Sequence, residues 1–85
     1  MNPVEAAMLD FIESRLASGD ILVPEKDILN AVAPSRKDRQ KPAVRYGLGR
    51  LHRRHLINYL PDRDGRRYYY IGNAPTQAMW EYVGR

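Results

Sequence analysis

Apolar residues recur at Val4, Met8, Phe11, Ile12 and Leu16, with Ala7 between them, and this spacing predicts one helical stripe. Asn2-Pro3-Val4-Glu5 reads as its start. Asn suits the cap, Pro the first helical position, and Glu three residues after the cap completes a capping-box pattern. Gly19 ends the helix, which runs from about Pro3 to Ser18, and its exposed face with Glu5, Asp10 and Glu13 is expected to be acidic. Asp20-Ile21-Leu22-Val23 predicts one short edge strand, closed by Pro24. A second helix over about Pro24 to Ala33 has Ile28, Leu29 and Val32 on its apolar face and Glu25 and Asp27 complementing the dipole of its first turn.

Residues 33–41 hold no apolar side chain after Pro34 and read as a connecting turn that can contain part of the next helix start. From Lys41 or Pro42 to His55 the residues Val44, Leu48, Leu51, His55 and Leu56 fall at helical spacing, with Arg45, Gly49, Arg50, Arg53 and Arg54 opposite. Gly47 and Gly49 each cost on the order of 1 kcal/mol relative to Ala inside a helix. The reason is either close approach of a neighbouring element or of a ligand, or plain tolerance by packing. Ile57–Pro61, Asp62-Arg63-Asp64-Gly65 and Arg66–Ile71 predict a β-hairpin, its reversal supplied by Asp-Gly. On the second arm Tyr68 and Tyr70 share one side and Arg67, Tyr69 and Ile71 the other, so one set should pack inward. Tyr68 and Tyr70 read as that set; Tyr69 stays open. A last helix over about Ala74 to Val83 carries Met79, Trp80, Tyr82 and Val83.

The 85 residues contain no cysteine, which excludes disulfide staples and Cys-based zinc sites and suits a reducing cytoplasm. At this length roughly 60% of the unfolded surface can be buried, enough for one modest core, so residues 1–85 are expected to form a single α+β, mainly α, domain. No apolar stretch approaches the ~20 residues of a membrane helix. The first residues lack a basic region followed by an apolar stretch, so a cytoplasmic location is expected.

Charge changes the picture more than composition does. The chain is +4 in total, but Arg36 to Arg67 holds eleven basic against three acidic residues, a net +8, and the remainder holds three basic against seven acidic, a net −4. One surface thereby suits a polyanion and another repels it.

The order of helix, short strand, helix, basic turn, basic helix, hairpin and helix resembles a winged helix-turn-helix domain. The stretch that carries the resemblance is Ala43-Val44-Arg45-Tyr46-Gly47-Leu48-Gly49-Arg50-Leu51-His52-Arg53-Arg54-His55-Leu56-Ile57, similar to that family's recognition helix running into the first wing strand. Two features depart from the pattern: the connection before the helix is long and very basic, and His55 stands where a small turn residue often appears. The resemblance implies a double-stranded DNA-binding protein, a small transcriptional regulator, with helix 41–55 in the major groove and the 62–67 wing on the backbone. Arg45 and Gln40 are the expected base readers, since Arg can bridge guanine acceptors and Gln can pair with adenine. Arg36, Lys37, Arg39, Lys41, Arg50 and Arg53 are expected against phosphate, and Arg63, Arg66 and Arg67 at the wing. Many domains of this fold pair through their first and last helices, so a homodimer on a palindromic site is a further expectation.

Other readings exist for the same residues. The basic face can meet an acidic protein, which would make the chain an adaptor in a larger nucleic-acid or phage assembly. Tyr69 with its neighbouring arginines can stack on unpaired bases. His52 and His55 lie three apart on one helix, but without Cys or a nearby carboxylate a metal site is not expected, and His55 reads as a partly buried packing residue. No nucleophile with an adjacent base, phosphate loop or carboxylate pair suggests an enzyme or a cofactor.

Overall fold

The first helix, α1 (Pro3–Ala17), is set by its cap. The Glu5 amide donates to Asn2 Oδ1 at 2.8 Å and the Asn2 amide donates to Glu5 Oε2 at 3.3 Å, so the capping box is closed on both sides. Met8 and Ile12 are fully buried, and Val4, Leu9, Phe11 and Leu16 pack around them. At the far end Gly19 takes φ +105° and the Asp20 amide donates to the Arg15 carbonyl at 3.1 Å, which closes the helix with a left-handed cap. The acidic face differs from expectation at one residue. Glu5 is only 2% exposed, because the turn that satisfies the cap also tucks its side chain between α1 and the basic helix. Asp10 and Glu13 are exposed as expected.

The computed structural model describes residues 1–85, about half of them helical, in the order α1, β1 (Val23–Pro24), α2 (Glu25–Val32), α3 (Arg36–Arg39), α4 (Pro42–Arg45), α5 (Gly47–Arg53), β2 (Asn58–Pro61), β3 (Arg67–Tyr70) and α6 (Gln77–Tyr82). The three strands form an antiparallel sheet in the order β1-β3-β2. Val23 and Tyr59 both pair with Tyr69, and Leu60 pairs with Tyr68, so the two faces of the sheet have different contents. On one face Val23 and Tyr69 join Met8, Ile12, Ile28, Val44, Leu48, Leu51 and Ile57 in the main core. On the other, Leu60 and Tyr70 join Leu22 and Val83, with Tyr68, Met79 and Trp80 beside them. Tyr70 and Tyr68 pack inward as expected, beneath α6, but the opposite set is not simply the outward one: Tyr69 is buried in the main core while Arg67 and Ile71 are exposed. Tyr69, 1% exposed, is a core residue and not a stacking platform.

Between the second helix and the hairpin the chain departs from the single helix expected over 41–55. The basic turn contains α3, capped by Ser35, whose Oγ accepts from the Asp38 amide at 3.1 Å. The basic helix itself is divided at Tyr46, which sits at φ −107°, ψ 1°. Hydrogen bonding continues on both sides of the division, from the Tyr46 amide to the Pro42 carbonyl and from the Arg50 amide to the Tyr46 carbonyl, each at 3.1 Å. The result is a bend of one helical path, placed where Gly47 lets the backbone press on α1. A Cβ on Gly47 would lie 2.8 Å from Met8 Sδ.

His55 is exposed and takes φ +61°, contrary to the packing role expected of it. The Leu56 amide donates to the Leu51 carbonyl at 3.1 Å and the His55 amide to the His52 carbonyl at 2.9 Å. His55 thus occupies the left-handed cap that glycine usually fills, at a cost of about 1 kcal/mol. The small-residue position noted in the sequence is this cap.

Candidate nucleic-acid interface

The exposed side of α4–α5 faces a cleft of about 340 Å³, walled on its other sides by α2, α3 and the start of β3. Its floor is apolar, from Leu29, Val44 and Leu48, and one stretch of bare helix at Gly49. Four guanidinium groups line it: Arg39, Arg45, Arg53 and Arg67. Sequence spacing explains two of these, since 45, 49 and 53 repeat every four residues along one helix face. Arg67 arrives from β3, the middle strand of the sheet, which no local pattern in the helix announces.

Arg45, Arg53 and Arg67 form no ion pair with the protein's own carboxylates. Arg67 lies over the Tyr59 ring, 4.4 Å from its centroid, and Arg45 lies 5.5 Å from the centroid of Tyr46. The phenol oxygen of Tyr69 beside Arg67 strengthens its hold on its proton, against the desolvation it suffers there, and the Glu25 charge helps further. Tyr69 is pushed up to about 12 by burial first and by the Glu25 charge second, against the lowering effect of Arg67. Glu25, from the first turn of α2, is the one carboxylate lining the cleft. A second, adjoining hollow of about 500 Å³ shares Glu25, Leu29 and Arg67 and adds Lys26, Arg66, Tyr68 and Tyr82. The two make one path from the basic helix to the tip end of β3.

The remaining basic positions are distributed unevenly. Arg39 lines the cleft but is committed to α2, donating from Nε to the Ala33 carbonyl at 2.9 Å and from Nη2 to Asn30 Oδ1. It fixes α3 against the end of α2. Arg36, Lys37 and Gln40 are exposed on or just after α3, outside the cleft, and Lys41 pairs with Asp38 at 3.0 Å. The Lys41 ammonium, followed by the Ser35 hydroxyl, holds the Asp38 carboxyl below the usual carboxylate range. Arg50 does not join Arg45 and Arg53. It shares the helix face of Gly47 and Arg54, is half-buried, and has a buried Nη1 with no hydrogen-bond partner. On that same face Arg54 Nη1 lies 3.9 Å from Glu5 Oε1.

The hairpin tip is built around Asp62, whose Oδ1 accepts from the amides of Asp64 at 2.9 Å and Arg66 at 3.0 Å, while its Oδ2 accepts from the Tyr68 hydroxyl at 3.1 Å. Burial opposes the Asp62 charge, but these donors outweigh it and hold the carboxyl below its ordinary range. Gly65 supplies the turn at φ +83°. Arg63 donates to the Gly84 carbonyl at 3.3 Å, and Arg66 pairs with Asp64 at 2.9 Å, so both tip arginines have protein partners although both are exposed. On the other side of the molecule Arg15 bridges Asp20 and Asp27 and ties the end of α1 to α2. That occupies two carboxylates which would otherwise oppose an anion.

Two cleft residues are invisible as such in the sequence. Glu25 reads only as a helix-dipole residue and Tyr46 carries no reading of its own, whereas Gly49 already stands on the arginine face with close approach as one of its explanations. No helix is long and apolar enough to cross a membrane. No protein-family model, curated protein or solved structure matches the chain.

Proposed function

We propose that the chain is a winged helix-turn-helix protein that binds double-stranded DNA, with α4–α5 in the major groove and the β2–β3 hairpin as the wing. The observation that carries this reading is the cleft: three arginines from three elements, Arg45 of α4, Arg53 of α5 and Arg67 of β3, converge on one concave face without an ion-pair partner. Leaving unpaired charges together costs self-repulsion, and an external polyanion relieves it. A helix about 10–12 Å across matches a major groove about 12 Å wide.

In this mechanism Arg45, exposed near the amino-terminal end of the helical path, reaches base edges, and Gln40 approaches them from the end of α3. Arg36, Lys37 and Arg53 neutralise phosphates and set the register. Arg63 and Arg66 exchange their weak protein partners for the backbone flanking the wing. Exposed pairs of that kind are worth about 0–1 kcal/mol, so the exchange is cheap. Regulation of transcription by occupancy of a DNA site is the role such docking serves.

Selection of bound sequences from a random duplex pool tests this directly. The expected result is a preferred site whose consensus changes on Arg45→Ala, while Lys37→Ala leaves the consensus intact and weakens every sequence alike by about 1 kcal/mol or less. Two-fold symmetry in the recovered site would mark a homodimer. Recovery of no duplex at all, with capture of an acidic protein instead, would assign the basic face to an adaptor role.

A further inference from the structure

Gly47 and Gly49 lie two residues apart in α5 and have different explanations. A side chain at Gly47 would strike Met8, so packing against α1 demands glycine there. At Gly49 nothing does. An added Cβ would meet only Arg53 Nη1, at 3.6 Å, an ordinary contact, and the backbone there is plain helix. Glycine is the least favourable residue for that position short of proline, so the fold itself would be better served by alanine. What Gly49 provides is room: it forms the bare floor of the cleft, with Arg45 one turn before it and Arg53 one turn after it, each roughly 6 Å along the helix. Arg67 and Glu25 stand on the facing wall.

We propose that the cleft seats one sugar-phosphate strand of the duplex, pressed against the bare helix backbone at Gly49 and held by Arg53 and Arg67, while Arg45 reaches past it to the base edges. This rests on the duplex-binding reading and names the point of closest approach within it. The strand lies between α5 and the tip end of β3, and so forms one wall of the groove that α4–α5 enters. Its continuation passes Arg67 toward Lys26 and Arg66 in the adjoining hollow. Glu25 is the single repulsive group on the path. It opposes strands generally and so limits affinity for any one of them.

The test uses the full chain and its Gly49→Ala and Gly49→Leu variants, with thermal melting and anisotropy titration of a random-sequence duplex at one salt concentration, and with inorganic pyrophosphate as a small-anion probe. Gly49→Ala is expected to melt roughly 4–8 °C higher and yet bind the duplex several-fold more weakly. Gly49→Leu, filling the cleft, is expected to bind at least about tenfold more weakly. A purely structural role for Gly49 cannot move stability and affinity in opposite directions. Duplex binding by Gly49→Leu at the parent affinity would overturn the seat while leaving duplex binding intact. If the parent binds pyrophosphate but no duplex, both the strand seat and the duplex reading fall, and the cleft is a small-anion site. Should Gly49→Leu not fold, Gly49→Ala decides alone: unchanged affinity, or affinity rising with stability, overturns the proposal.

Discussion

Arg45→Glu combined with Arg53→Glu is expected to reduce duplex binding at least about a hundredfold while leaving the fold intact. Both side chains are exposed and neither forms an ion pair, so their replacement removes only the exposed contact of Arg45 with the Tyr46 ring. Surface changes of this kind stay within about 0.5 kcal/mol of the parent. The binding side is different. The double variant shifts the local charge by four units at the one place where three guanidiniums meet, and at roughly 1 kcal/mol per unit charge near water the loss is about 4 kcal/mol. That corresponds to nearly a thousandfold, so a hundredfold leaves margin for strand repositioning. Anisotropy titration with circular dichroism of the same samples checks it. Duplex affinity within about threefold of the parent would remove the cleft from the interface.

Tyr69 carries the largest expected effect on stability. The residue is 1% exposed, pairs with both β1 and β2 from the middle strand, and its ring lies in the main core tilted against Tyr59 with centroids 5.6 Å apart. Tyr69→Ala is expected to cost about 3–5 kcal/mol, much of what holds a domain this small together. Denaturant titration measures it. The hydroxyl has a separate signature. Burial and the Glu25 charge push Tyr69 up to about 12 in the folded protein, against about 10 when unfolded, so the folded state keeps a proton that the unfolded state releases. Its contribution is therefore whole below pH ~10 and is lost as pH rises through ~12, on the order of 2–3 kcal/mol. Tyr69→Phe should soften this alkaline loss, leaving the smaller upward shifts of Tyr68 and Tyr70, which burial produces in the same direction. An unchanged alkaline unfolding profile in Tyr69→Phe would contradict the assignment.

Local signals in the sequence located the elements well where the physics is local. The Asn2–Glu5 capping box, the Gly19 stop and the Asp-Gly reversal each depend on residues within a few positions, and each forms as expected. The failures involve partners distant in sequence. Glu5 satisfies its own cap and is also covered by α5, which only the packing of two helices decides. The tyrosine run leaves Tyr69 open because alternation distinguishes inside from outside only when one face of a sheet is wet, and here α6 covers the second face. Helical periodicity sets Arg45, Arg50 and Arg53 together as the side opposite the core, yet Arg50, five residues after Arg45, falls about 140° around the helix from it and shares the face of Gly47 and Arg54 instead. Arg39 reads like any other cation of the basic turn, and only the return of α3 toward α2 shows that Ala33 and Asn30 claim it.

The division of charge seen in the sequence is also sharpened by the structure. Of the eleven basic residues from Arg36 to Arg67, Arg39, Lys41, Arg54, Arg63 and Arg66 have protein partners. Arg36, Lys37 and Arg53 remain exposed without an ion pair, as does Arg45, Arg67 completes the cleft, and Arg50 is half-buried on the opposite face. Duplex binding with Arg36, Lys37, Arg53, Arg67 and the two tip arginines Arg63 and Arg66 on phosphate predicts a definite salt response, because each phosphate they neutralise releases counterions. A titration of random-sequence duplex across salt concentrations is the most direct measurement of the central claim. The expected log–log slope is about −5 to −6, falling by about one unit for each of these cations removed. A slope near zero, or no binding even at low salt, would contradict DNA as the partner of this surface.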